Sequence, residues 1–288
     1  MTARTVRTRD LVVDGLGTPL REAGPPDCRE AVVCVHGNPG SSADFERLLA
    51  AAGRLGRAVA WDAPGFGRAD KPAGFPQTVD AHAAFIGRAI DLLEIDRAHL
   101  VVHDFGGPWA LRWAASAPQR LASVTLIGTG VLPGYRWHAL ARIWRTPGAG
   151  ELFMATTTRP GFRALLRIGN PRALPRAFVD RMYDDFDRGT RRAVLKLYRS
   201  VDDVAADGRE LARALAPHDR PALVVWGRHD PYLPVALAER QRHAFPSATV
   251  HVLEVSGHWP LADDPHRTER LALAFLGRQL AAAEPTAA

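Results

Sequence analysis

The chain has 288 residues, 47% of them hydrophobic and 24% charged, with a formal net charge of +6. No apolar run approaches the ~18 residues of a membrane span, and no apolar stretch follows the arginines of the N-terminus, so a bilayer protein is excluded, no secretory signal is indicated and the expected location is cytoplasmic. The cationic excess is scattered among aspartates and glutamates, with lysine only at Lys71 and Lys196, instead of gathering into a basic stripe, which argues against nucleic acid as a partner.

Short β-branched runs alternate with amphipathic stretches, the pattern of strand-helix-strand units and a mostly parallel sheet. A hairpin around 4–13 is expected at an antiparallel edge. Core strands follow at 31–36, 58–62, 99–103, Leu121–Ile127, 222–226 and Thr249–Leu253, with helices at 79–93, 108–117, 234–244 and 267–280. Between 131 and 217 the strand signal vanishes, and Pro, Gly, Trp and Arg punctuate helical pieces at 136–144, 159–168, 175–185, 190–201 and 208–215. The sheet pattern then resumes. The expected organisation is therefore an α/β core made of 1–130 and 218–288, with a helical cap, 131–217, inserted in it. Cys28 and Cys34 have no disulfide or metal-ligand spacing around them, and Cys34 is expected in the core. The tail 281–288 is expected to be disordered.

The run Leu100-Val-Val-His-Asp-Phe-Gly-Gly-Pro108 joins an apolar strand to a helix through paired glycines. A sharp strand-to-helix turn lifts its central side chain above the sheet, where backbone amides and a helix N-terminus stabilise negative charge. Asp104 holds that place, and no G-x-S-x-G occurs in the chain. Taken alone, Asp104 is equally a helix N-cap. Two further segments favour chemistry. Val35-His-Gly-Asn-Pro-Gly40 follows the first core strand and turns beside the elbow, so the amides of Asn38 and Phe105 form a candidate oxyanion hole, with His36 alongside. Gly227-Arg-His-Asp230-Pro and Ser256-Gly-His258-Trp-Pro follow the last two strands, which yields a nucleophile, acid and histidine in the order Asp104, Asp230, His258.

With these motifs in hand, the chain resembles the α/β-hydrolase superfamily over nearly its whole length, in particular the aspartate-nucleophile branch of epoxide hydrolases and haloalkane dehalogenases. His-Gly-Asn-Pro, Asp62-Ala-Pro-Gly-Phe-Gly67, His103-Asp-Phe-Gly-Gly and Ser-Gly-His carry the resemblance. Val102, where relatives place a small residue, and Phe105, where many carry tryptophan, depart from it. The resemblance implies an α/β-hydrolase fold and hydrolysis at an sp³ carbon through an Asp104 ester, with His258 as the base for water and Asp230 orienting it. It implies no metal or organic cofactor, and a small apolar epoxide or haloalkane with water as the substrates. The chain is expected to act as a monomer or homodimer.

The leaving group divides the two chemistries. An epoxide oxygen needs a proton donor, and Tyr198, 32 residues before Asp230, resembles the family's ring-opening tyrosine on the cap. Its usual partner tyrosine is missing where only Phe153 stands, leaving Tyr183 and Tyr135 as substitutes. A halide needs N–H donors, for which Asn38 with Trp109, Trp137 or Trp144 are the candidates, and Trp259 completes the expected pocket lining. Epoxide hydrolysis is the first reading and haloalkane dehalogenation the second. A non-catalytic small-molecule receptor of the same fold is disfavoured by the intact triad.

Overall fold

The computed structural model describes residues 5–168 and 170–282. Eight strands form one sheet: β1 (Arg7–Val13), β2 (Leu16–Ala23), β3 (Glu30–Val35), β4 (Arg57–Trp61), β5 (Arg97–His103), β6 (Leu121–Ile127), β7 (Ala222–Gly227) and β8 (Thr249–Leu253). Their order is β1-β2-β4-β3-β5-β6-β7-β8, with β1/β2 and β2/β4 antiparallel and every other pair parallel. β4, β6 and β7 are buried along their whole length, as parallel strands covered by helices on both faces must be.

Twelve α-helices accompany the sheet among the described residues. Outside the interval between β6 and β7 they are α1 (Glu46–Ala52), α2 (Val79–Leu92), α3 (Gly106–Ser116), α10 (Ala236–Arg240), α11 (Pro260–Asp263) and α12 (Pro265–Ala281). Among its described residues that interval contains helices and no strand: α4 (Ala139–Arg145), α5 (Ala149–Thr156), α6 (Arg159–Arg167), α7 (Arg176–Asp185), α8 (Arg188–Ser200) and α9 (Val204–Leu215). None of the described helices is long and apolar enough to cross a membrane.

The expected core strands and helices are found with ends shifted by a few residues, whereas the hairpin expected around 4–13 is displaced: 7–13 is a single strand, and the turn lies beyond it. Four elements lacked an expectation: β2, α1, α5 and α11. The first had a readable signal. Asp14-Gly15 takes positive φ at both positions (50° and 78°), the requirement of a tight hairpin turn, and β2 pairs back on β1 from there. The helix expected at 136–144 starts later, at Ala139, because His138 caps it by accepting the Ala141 amide on its ring. Cys34 is buried and Cys28 exposed, both as free thiols. Of the expected disordered tail, α12 still includes Ala281, and 283–288 lie outside the described residues.

Candidate active site

β5 runs straight into the turn that carries Asp104. Its φ of +49° is a left-handed conformation that costs a non-glycine residue of order 1 kcal/mol and is held only by its surroundings. Those surroundings are specific. The Thr129 hydroxyl donates to the Asp104 carbonyl, and the Gly107 amide donates to the same oxygen at 2.9 Å. A Cβ at Gly106 would fall 2.2 Å from the Val35 carbonyl, and one at Gly37 would fall 2.4 Å from Asp104 Oδ1. The two glycines therefore let the strand ends and the loop close on the carboxylate. The capping alternative is overturned, since Phe105 occupies the N-cap of α3 and no side chain caps it.

The carboxylate of Asp104 instead faces the loop and the histidine. The Asn38 amide donates to Oδ1 at 2.6 Å, and His258 Nε2 lies 3.3 Å from Oδ2. His258 Nδ1 meets Asp230 Oδ2 at 2.7 Å, while Asp230 Oδ1 accepts the amides of Tyr232 (2.8 Å) and Leu233 (2.9 Å). The loop bearing Asp230 is pinned by the Trp226 indole, which donates to the Leu233 carbonyl at 2.9 Å. The loop bearing His258 is pinned from two sides: His103 Nε2 donates to the His258 carbonyl at 2.8 Å, and Asp263 accepts from Gly257 N at 2.7 Å and from the Ser256 hydroxyl.

Burial disfavours charge on His258 and on Asp104, yet the two neutralise that penalty together. Desolvation alone would depress the His258 imidazole, but the flanking carboxylates of Asp230 and Asp104 outweigh it and raise it to about 10. For Asp104, burial pushes upward, and the His258 hydrogen bond and charge with the Asn38 amide hold the carboxyl below the usual carboxylate range. At neutral pH the arrangement is a carboxylate against an imidazolium. His103 is kept neutral, lowered to about 4 by burial and by the neighbouring His258 charge.

Two hollows flank this carboxylate, and four residues line both: Asp104, His138, Tyr198 and Tyr232. Tyr198, on α8, is 4% exposed. Burial first and the Asp104 charge second push its hydroxyl well above the ordinary tyrosine range, so it stays protonated, and it lies against the Asn38 carboxamide. His138 accepts the Ala141 amide on Nδ1 at 3.1 Å, which fixes the neutral tautomer with its proton on Nε2. Burial lowers this imidazole to about 4, so it remains neutral. Its ring packs edge-on to Tyr198 and Tyr232, at 6.1 and 5.0 Å between centroids.

The other expected residues divide. Phe105, Tyr135 and Trp137 line one hollow; Asn38, Trp144, Phe153 and Trp259 line the other. Three lie elsewhere. Trp109 is fully buried beneath the elbow and stacks on His82 at 3.9 Å, because α3 turns that face into the core. His36 spends both ring nitrogens on the loop, donating to Gly37 O (2.9 Å) and accepting from Ala63 N (2.8 Å). Tyr183 hydrogen-bonds the Thr157 carbonyl at 3.4 Å and packs on Phe162. Thr129, His138 and Tyr232 had not been anticipated. Tyr232 had a signal, standing two residues after the acid in Asp230-Pro-Tyr.

The chain matches the family model described as α/β hydrolase fold over residues 30–265. A 2-hydroxy-6-oxononadienedioate/2-hydroxy-6-oxononatrienedioate hydrolase from Burkholderia vietnamiensis is 27% identical over 263 residues, 86% of this chain and 88% of the relative. Haloalkane dehalogenase 2 from Mycobacterium tuberculosis is 27% identical over 264 residues, 88% of each. The fold superposes on that of an epoxide hydrolase from Vigna radiata with a TM-score of 0.77 at 18% identity, covering 95% of this chain and 98% of the other.

Proposed function

The chain belongs to the α/β-hydrolase fold family, and within it we propose that it opens epoxides to vicinal diols through an ester on Asp104. The observation that carries this reading is the pairing of a buried carboxylate, fixed by the Asn38 amide and His258, with the protonated Tyr198 hydroxyl lining the same two hollows. A carboxylate nucleophile suits an sp³ carbon, with which it forms an alkyl ester on the enzyme. Ring opening then breaks the C–O bond, and the departing oxygen takes the Tyr198 proton, with His138 Nε2–H as a second donor.

The ester removes the negative charge that helps hold the His258 proton. The imidazolium therefore becomes more acidic once Asp104 is alkylated; its proton returns to the tyrosinate left by ring opening, and the neutral imidazole then takes a proton from a water. That water attacks the Asp104 carboxyl carbon. The oxyanion forms on the oxygen already hydrogen-bonded to Asn38 N, with the Phe105 amide as second donor, and its collapse breaks the ester C–O bond; the expelled diol oxygen takes the proton of the added hydroxyl by way of His258, which restores the carboxylate and the imidazolium. The helices between β6 and β7 act in this scheme as a cap that excludes bulk water.

The dienedioate relatives do not transfer their substrate easily. A dicarboxylate needs cations, and among the described residues lining the two hollows the only arginine or lysine is Arg112, which already donates to Glu210 at 2.7 Å. Haloalkane dehalogenation keeps a specific observation in its favour: the side-chain nitrogens of Asn38, Trp137 and Trp144 are buried without a hydrogen-bonded protein partner among the described residues, and N–H groups are what a leaving halide requires.

A single turnover in ¹⁸O-water separates the scheme from direct attack by water. The ester route delivers an unlabelled diol oxygen and leaves ¹⁸O in Asp104, whereas label in the diol after one turnover contradicts it. Halide release without diol formation from matched epoxides would favour the second reading.

A further inference from the structure

The nucleophile does not lie at the end of a blind pocket. It lines two hollows at once, and the residues common to both are the carboxylate itself together with His138, Tyr198 and Tyr232. One arm runs under α9 between Val131, Leu132, Val204 and Leu211. The other runs beneath α5 and α6 between Phe153, Phe162, Leu165 and Leu166. A substrate whose reacting carbon sits at Asp104 thus meets apolar space on both sides of that carbon.

Among the described lining residues, neither arm offers an unpaired arginine or lysine for an anionic substituent. Arg112, at the α9 arm, is held by Glu210 (2.7 Å) and faces Asp80 (3.4 Å). The α6 arm contains neither arginine nor lysine among its described lining residues. An ionised substituent would lose hydration there with no unpaired cation among the described lining residues and only neutral donors, such as the N–H groups of Trp137, Trp144 and Asn38, to meet it, which is unfavourable, whereas each neutral alkyl group gains from leaving water.

We propose that the site is built for neutral, internal epoxides, with an alkyl or aryl substituent on each ring carbon, one occupying each arm while the oxygen points at Tyr198 and His138. The proposal rests on the epoxide reading above. A terminal epoxide fills one arm and leaves the apolar walls of the other without contact.

The test compares two isomers of equal size, 4,5-epoxyoctane and 1,2-epoxyoctane, so that total apolar area is matched and only the position of the ring differs. The internal isomer is expected to have about tenfold the kcat/KM of the terminal one, against the lower steric hindrance of the terminal carbon. A ratio at or below one overturns the proposal. Leu166→Phe and Leu211→Phe each narrow one arm, and each is expected to lower that ratio; a ratio unchanged in both variants also overturns it. Should neither variant fold, the wild-type ratio still decides. The epoxide reading fails separately: if His258→Gln enzyme gains no mass from either isomer, the reading falls and this inference with it. Adduct formation from both isomers alongside a ratio at or below one leaves the reading standing and removes the inference alone.

Discussion

The two walls of the proposed reaction centre are made in different ways. The lower wall, with Asp104, Asp230 and His258, rises from turns at the ends of β5, β7 and β8, each braced by hydrogen bonds: Asp104 from the Thr129 hydroxyl, Asp230 from the Leu233 amide of its own loop, and the His258 carbonyl from His103. The upper wall, with Trp137, His138 and Tyr198, comes from the helical interval between β6 and β7, where aromatic packing does the positioning: Tyr198 touches Phe105, Trp137 and Trp144 at 5.1, 5.3 and 4.8 Å between centroids. The lower wall is thus fixed by backbone geometry, and the upper by the fit of large side chains. The first should tolerate no change at its reactive atoms, while the second should show graded losses.

The largest effect belongs to the lower wall. Asp104→Ala removes the atom that forms the ester, so diol formation should fall at least about 10⁴-fold, given what triad members contribute in related arrangements, with the circular dichroism spectrum unchanged. Substantial turnover by this variant would break the comparison at its base. On the upper wall, Tyr198→Phe removes only a hydroxyl, and ring opening should slow by about 10²-fold, the lower end of general acid catalysis, while release of halide from a haloalkane would be indifferent to it. Equal losses with both substrate types would mean that Tyr198 shapes the cavity and donates no proton.

A smaller effect is expected at His138. Asparagine is a good N-cap, so His138→Asn preserves the start of α4 but withdraws the Nε2–H from the site. Ester formation should slow by about tenfold with little change in thermal stability. A large drop in stability with an unchanged alkylation rate would make His138 a structural cap alone.

Finer still is the pH dependence of stability. The folded His258 is raised to about 10, above the ~6.5 of an unfolded histidine. Its contribution is therefore present in full below pH ~6.5 and is lost as pH rises through about 10. Asp104→Asn removes one of the two carboxylates responsible, so the decline of stability across that window should be shallower in the variant. Denaturant titrations at pH 6 and pH 10 measure it.

The same division explains what the sequence disclosed. The lower wall was legible because each piece is local: a strand, a tight turn with small residues and a single chemical side chain, in a chain order that leaves few folds. The upper wall was only half legible. Tyr198 stood out only through its resemblance to the family's ring-opening tyrosine, and His138 did not stand out at all, because its significance depends on capping α4 and on meeting Tyr198 and Tyr232 in space. Trp109 misled for the mirror reason. Its distance along the chain from Asp104 is short, but a helical residue's direction is set by its turn, and this one points into the core against His82. β2 was missed although Asp14-Gly15 marked its turn, since its alternation carries only a few apolar residues, LGTPLREA.

The central claim is a covalent bond to Asp104, and intact mass spectrometry of His258→Gln after exposure to epoxides and haloalkanes tests it most directly. The variant should still alkylate but not hydrolyse the ester. The account predicts a gain equal to the whole mass of the epoxide, mapping to the peptide that contains Asp104. A gain of haloalkane mass less hydrogen halide, with none from epoxides, would contradict the assigned chemistry, and no adduct from any compound, or an adduct on another residue, would contradict the nucleophile itself.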